Sequence, residues 1–423
     1  MKQLSPKLKC GVLLLLLPLV VYSYIGIFDS FDSNTILKKD LVQDFLAAKA
    51  ILNSIHPYDS THLLAEKFLP GDGYITFAHP TPHPPSVLFL TFWLGFFTYK
   101  QAGIIWTALQ VFALFASFRI LFSLFNLKFR YQSFAVLFAV FFSLSARPVN
   151  LDLILGQFAI FLLLSISLFF YFLNSGRMVA AGVALGFSLS LKFFGVIILP
   201  YLILKHRYKA FLAAVITFAA LNGASLILIG KGAWLKYFTI IAPSVSAKYQ
   251  FTELNISLWT LGNRLFSGMH AGVLETADVE PLFYFQELAY PFSFLMIFLF
   301  LGLLFSRFLK SNENAIDITM IELAQLVAIS TVITPVAWVH YLVLLLVPMF
   351  VLAESEGEKL INLRSITFWS TTFWYFSGTF RLLAPPDGNL SFFEGQLSLV
   401  SLIPVFLLVY SLEELAKKSR VST

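Results

Sequence analysis

The sequence predicts an all-α polytopic membrane protein, and three observations carry that expectation. Of its 423 residues, 58% are hydrophobic and 12% charged, about half the charged fraction usual in soluble chains. Apolar runs reach helical length and lack the alternating segments of about ten residues that a transmembrane barrel requires. The basic residues lie in short loops and not on one face, so the net charge of +6 reads as membrane sidedness, with no nucleic acid partner. At about 20 residues per crossing the chain holds about twelve transmembrane helices, roughly ten to thirteen, in one integral membrane domain over 1–423. The one cysteine, Cys10, excludes an internal disulfide and a thiolate metal cluster.

Taken in order, Lys2, Lys7 and Lys9 precede an apolar run near 11–28. No small-x-small cleavage site follows, so this run reads as an uncleaved first helix with a cytoplasmic amino end. Apolar runs predict further helices at 102–125, 132–146, 153–173, 178–191, 194–205, 210–230, 289–306, 319–334, 341–353, 364–382 and 395–412. The segments 178–191 and 194–205 are short for a crossing and read as a hairpin whose turn lies on the outer side. Two prolines precede the short run 87–97, whose length suits an interfacial or buried helix. With 87–97 not spanning, Lys128, Arg130, Arg177, the run 205–209, Arg307, Lys310, Lys359, Arg364, Lys417, Lys418 and Arg420 all fall inside. Both chain ends are then cytoplasmic. The alternative counts 87–97 as a span and the hairpin as one helix, which moves Lys128 and Arg130 outside.

The outer face of this cell-membrane protein receives two long loops, 29–101 and 231–288, and short turns at 147–152, 335–340 and 383–394. Within the first loop, Leu41, Phe45, Ala48 and Leu52 recur at helical spacing, which predicts a surface-lying amphipathic helix over 40–52. Asp40 and Asp44, four residues apart, fall on one face of it.

Polar groups within apolar surroundings cost free energy unless they are paired, so they are the first functional candidates. Lys192 lies at the hairpin turn, Gly156 and Gln157 follow Asp152, and TPVAWVHY over 334–341 delivers Trp338, His340 and Tyr341 to the outer interface. Structural alternatives stand beside each: a snorkelling lysine, helix-to-helix hydrogen bonding, aromatic anchoring, solvated carboxylates. His56, His62, His79 and His83 lack the compact spacing of a zinc motif, so no metal site is assigned. No P-loop, dinucleotide fingerprint, nucleophile elbow or HExxH occurs.

Five segments in this order resemble the GT-C-fold glycosyltransferases of family 87, the polyprenyl-phosphate-mannose-dependent mannosyltransferases. They are KDLVQDFLAAKAILNSIHPYD at 39–59, HPPSVLFL at 83–90, LGQFAIFLLL at 155–164, AAGVALGFSLSLKFFGVIILP at 180–200, and NISLWTLGNRLF at 255–266 with TPVAWVHY at 334–341. Ser54 stands where the family usually has glycine, and Asp44 where an aromatic residue is common.

The resemblance implies a GT-C-like bundle and transfer of a sugar, with mannose favoured, from a polyprenyl-phosphate-linked donor to a lipid or glycan acceptor outside the cytoplasm, with inversion and no other cofactor. It implies Asp40 as the base that deprotonates the acceptor, because Pro57 and Tyr58 follow it at the family's spacing, with Asp44 as the other catalytic candidate. Lys192, His340 and Arg264 would bind the donor phosphate, and Gln157, Asn255, Tyr58 and Trp338 would line the substrate site. The reading from another class is a secondary transporter or flippase of a lipid-linked envelope precursor. It leaves the long outer loop unexplained, and the chain shows no paired halves.

Overall fold

The computed structural model describes residues 27–69, 74, 77–124, 147–252, 255–269, 280–311, 316–356 and 402–421. Among these the chain is helical and forms no β-strand. The helices are α1 (Ser33–Leu37), α2 (Val42–Leu52), α3 (Thr61–Phe68), α4 (Pro85–Thr91), α5 (Tyr99–Leu124), α6 (Arg147–Leu155), α7 (Ala159–Asn174) and α8 (Met178–Leu191). They continue with α9 (Ile198–Leu204), α10 (Tyr208–Lys236), α11 (Ala242–Gln250), α12 (Leu261–Phe266), α13 (Ala289–Phe308), α14 (Ile316–Ile333), α15 (Leu346–Glu356) and α16 (Leu402–Val421).

Among the described residues, three stretches are long and apolar enough to cross a membrane: Tyr99–Leu124, Tyr208–Gln250 and Gln286–Phe308. They expose Phe112, Ile216, Ile227, Leu295 and Phe298, side chains that water would disfavour and lipid accepts. A polytopic all-α membrane protein fits this surface. The described residues do not reach the expected twelve crossings, and the expected spans at 132–146 and 364–382, with nearly all of 11–28, lie outside them.

Several expected helices differ in their bounds, each for a local reason. The run 153–173 is broken: α6 ends at Leu155, Gly156 turns with φ +68°, and α7 begins at Ala159. Apolarity gave no hint of the break, because the turn's polar groups are satisfied by residues distant in sequence. The helix expected over 210–230 continues well into the segment expected as a second loop, kinking at Gly230 and passing through a π-helical turn at Tyr237–Ile241 into α11. There Tyr237 packs with Tyr58, Leu88 and Ala47, so this stretch is held by tertiary contact. The helix expected to lie on the surface, α2, has eight of its eleven residues buried, Asp44 among them. It is buried because α4 and the 3-10 turn Phe92–Phe96, which together form a short apolar unit around the expected 87–97, pack against it.

Helix ends follow simple chemistry. Helix α2 closes in a Schellman motif, with Ile55 N–H donating to Ala50 O at 2.8 Å and Ser54 N–H to Ile51 O at 3.1 Å. The motif places Ser54 at φ +55°, a conformation that glycine adopts at no steric cost. Helix α8 lies against α10 through Gly182 and Gly186, the small-xxx-small spacing that lets helix backbones approach closely. A Cβ at Gly182 would stand 2.2 Å from Ala210 O, and one at Gly186 2.5 Å from Ala214 O.

The charged groups gather at two ends of the bundle. At one end, Lys205 meets Glu322 at 3.3 Å, Tyr201 donates to the same carboxylate at 2.8 Å, and Arg307 lies 3.5 Å from Glu413. Helices α8 and α9 separate this end from Lys192, which sits at the opposite turn of their hairpin.

Candidate active site

The site end is organised by the break between α6 and α7. A helix C-terminus leaves carbonyls unpaired and a helix N-terminus leaves N–H groups unpaired. Lys39 donates Nζ to Leu153 O, and to Ile154 O at 3.3 Å, while Asp152 accepts from Ala159 N–H at 2.9 Å and Ile160 N–H at 3.0 Å. Gln110 donates to the Asp152 carbonyl at 3.0 Å and the Gln157 carbonyl at 2.9 Å, and Trp106 donates to Gly156 O at 2.9 Å. The break is thereby a fixed turn. It presents Gln157, whose Nε2 donates to Asp40 Oδ2 at 2.8 Å.

Asp40 follows the anchored Lys39, so one cation fixes both the turn and the carboxylate. Asp40 is partly exposed, yet protein crowds it. Desolvation pushes its carboxyl above the usual carboxylate range, with Asp44 adding to the rise, while the Gln157 bond and the charges of His83 and Lys192 oppose it. Lys192 terminates α8 in extended backbone. Its Nζ bonds the Tyr341 hydroxyl and lies 4.5 Å from the centre of that ring. His340, the neighbour of Tyr341, is buried, and its Nε2 has no hydrogen-bond partner. His340 interacts electrostatically with Lys192 and His83. Asp40, bonded to Gln157, and His340 thus both lie within electrostatic reach of Lys192 and His83.

Asp44 occupies the same neighbourhood in a different state. Its Oδ1 lies 2.7 Å from His83 Nδ1 and accepts from Thr81 Oγ1 at 3.4 Å. Both Asp44 and His83 are buried. Of the two carboxylates, Asp40 is the partly exposed one.

The remaining expected residues are placed as supports. Tyr58 is buried, donates its hydroxyl to His83 O at 3.0 Å and packs 5.3 Å from the Tyr237 ring. Asn255 donates Nδ2 to Gln250 O at 2.9 Å and Pro335 O at 2.8 Å, and its Oδ1 accepts from Ser257 N–H at 3.0 Å and Ala337 N–H at 2.8 Å. Arg264 is fully buried and donates Nη2 to Asn255 O at 2.8 Å. Trp338 is half-buried, its ring 5.8 Å from that of Tyr249. Sequence reasoning missed Lys39, Gln110 and the pairing of His83 with Asp44. Only the Pro-flanked position of His83 hinted at a role.

Among the described residues, no group of three His, Cys, Asp or Glu side chains gathers as metal ligands would. An apolar cavity of about 300 Å³, lined by Leu258, Met296, Phe300 and Phe406 among others, shares no residue with the cluster around Asp40.

The family model of glycosyltransferase family 87 matches residues 82–335. The chain belongs to glycosyltransferase family 87. No curated protein and no solved structure matches it. A member of family 87 needs a sugar donor and an acceptor, and a carboxylate within electrostatic reach of a cation suits that chemistry. The matched region contains Gln157, Lys192 and Arg264 but begins after Asp40 and Asp44. Those two join it through space, by the Gln157 and His83 hydrogen bonds.

Proposed function

We propose that this glycosyltransferase is an inverting enzyme that moves mannose from a polyprenyl-phosphate donor to a lipid or glycan acceptor on the outer face of the cell membrane. Multi-pass topology with about twelve crossings, both chain ends cytoplasmic and the loops 29–101 and 231–288 outside belong to the same reading. Its central support is the hydrogen-bonded Asp40 carboxylate within electrostatic reach of Lys192.

In this reaction Asp40 takes the acceptor hydroxyl proton as the oxygen attacks the anomeric carbon. The new C–O bond forms as the bond from that carbon to the phosphate oxygen breaks, and the electron pair leaves on the prenyl phosphate. Attack opposite the leaving group inverts the configuration. Burial raises the proton affinity of Asp40, which makes it a stronger base than a solvated aspartate. Lys192, steered by Tyr341, and His340 stabilise the charge growing on the phosphate. Asn255 and Arg264 hold the turn that carries Trp338 and His340.

The test incubates purified protein with radiolabelled polyprenyl-phosphate mannose and total membrane lipids. Wild type labels an acceptor, while Asp40→Asn, present at equal level, loses transfer by about 10²-fold or more. Undiminished transfer by Asp40→Asn removes Asp40 from the mechanism, and reconstituted liposomes that move the donor without consuming it refute the enzymatic reading.

A further inference from the structure

We infer that His83, oriented by Asp44, is a third ligand of the donor phosphate and completes an anion site with Lys192 and His340; this rests on the phosphate-linked donor proposed above. The His83 ring is fixed on several sides. Its Nδ1 lies 2.7 Å from Asp44 Oδ1, its backbone N–H donates to Thr81 Oγ1 at 3.4 Å, and its carbonyl accepts from the Tyr58 hydroxyl at 3.0 Å. Phe158 packs edge-on against the ring at 4.8 Å between centroids. An ionised carboxylate only accepts, so Nδ1 carries the proton in the bond to Asp44.

With Nδ1 engaged by Asp44, Nε2 is the ring atom left to meet a ligand. His340 offers a second such atom, its buried and unpartnered Nε2. A buried polar atom without a partner costs free energy unless a ligand or water supplies one. Geometry brings the three groups together: Ser86, three residues after His83, donates to Ser190 O, two residues before Lys192, at 2.6 Å, and the His340 ring lies 4.4 Å from that of Tyr341, whose hydroxyl Lys192 bonds; His83 and Lys192 each also interact electrostatically with both Asp40 and His340. A phosphate there receives donors from Lys192 and both imidazoles. With Asp44 on one side of the ring and phosphate on the other, both His83 nitrogens donate to anions. Asp44 is therefore a positioning residue that acts through His83, which accounts for its burial beside a partly exposed Asp40.

Side-chain amides separate the two ring nitrogens: asparagine mimics Nδ1–H, and glutamine mimics Nε2–H. The measurement is equilibrium binding of farnesyl phosphate to the purified full chain carrying Asp40→Asn, with farnesol as the uncharged control and inorganic phosphate as competitor. His83→Asn weakens farnesyl phosphate about 10-fold or more and leaves farnesol unchanged, while His83→Gln stays within about threefold of the parent. Asp44→Asn weakens binding in the parent and adds nothing in the His83→Asn background. Unchanged affinity in His83→Asn, or equal losses for farnesyl phosphate and farnesol, overturns the role of His83. An independent loss from Asp44→Asn overturns its positioning role. Inorganic phosphate competing as well as farnesyl phosphate overturns the lipid-headgroup assignment. Failure of the parent itself to prefer farnesyl phosphate over farnesol removes the phosphate-linked donor and this inference together, whereas preference that survives His83→Asn removes the inference alone.

Discussion

Gly182→Ala tests how the packing of two helices sets the position of Lys192, the proposed phosphate-binding cation. The new methyl would stand 2.2 Å from Ala210 O and 2.6 Å from the Ala213 Cβ, against 3.4 Å or more for ordinary contact. The obstacle is backbone, so it cannot rotate away, and α8 must move from α10 by about 1 Å at this crossing. Overpacking of this kind costs about 1–3 kcal/mol. Removing a glycine from a helix interior returns about 1 kcal/mol, so the net loss is about 0–2 kcal/mol. Function should suffer more than stability, because α8 ends at Lys192 and a misplacement of about 1 Å can lower a rate about 10²-fold.

The assay pairs the midpoint of thermal unfolding in detergent with the rate of sugar transfer. Gly223→Ala in α10 is the internal control, since a methyl there meets nothing within 4 Å. It should match or exceed wild-type stability by up to about 1 kcal/mol and transfer normally. Wild-type unfolding and transfer in Gly182→Ala would refute the claim that this contact sets the helix spacing. A stability loss with full transfer would refute the link from α8 packing to Lys192.

Gln157→Leu removes a hydrogen bond that holds the Asp40 proton affinity down. A base works only when ionised, so the acidic limb of the rate–pH profile, where activity falls as pH drops, should move to higher pH; an unmoved limb counts against Asp40 as the base. Ser54→Gly relieves the φ +55° at the end of α2 and should stabilise by about 1 kcal/mol without altering transfer, read as a raised unfolding midpoint. Asn255→Ala leaves four backbone partners unmet and should destabilise by about 2–4 kcal/mol. It should also raise the donor KM by loosening the turn before His340. Equal stability would show that the turn holds itself.

The legible part of the site consists of residues whose character conflicts with their surroundings. Lys192 in an apolar hairpin and His340 between Trp338 and Tyr341 stand out on composition alone, and Lys192 lies within electrostatic reach of both Asp40 and His340. Asn255 was implied by the family motif alone, and the sequence could not show that its amide is fully occupied by backbone partners. Lys39 was illegible because its burial depends on carbonyls of α6 more than a hundred residues away. The break at Gly156 was hidden likewise, since apolar periodicity runs through it while the hydrogen bonds that fix it come from Gln110, Lys39 and Trp106.

By itself, the sequence determined the solvent and the secondary structure. So few charges among so many apolar residues demand lipid, and in lipid the backbone must satisfy itself within helices. It also determined which residue types could carry chemistry. The tertiary structure alone decided their division of labour. Asp40 and Asp44 lie one helical turn apart and look equivalent by pattern, yet His83, from the loop before α4, bonds one, while Gln157, from the α6–α7 break, bonds the other. The acidity and access of a carboxylate depend on the dielectric and the partners around it, and those partners are brought close by packing, not by chain order.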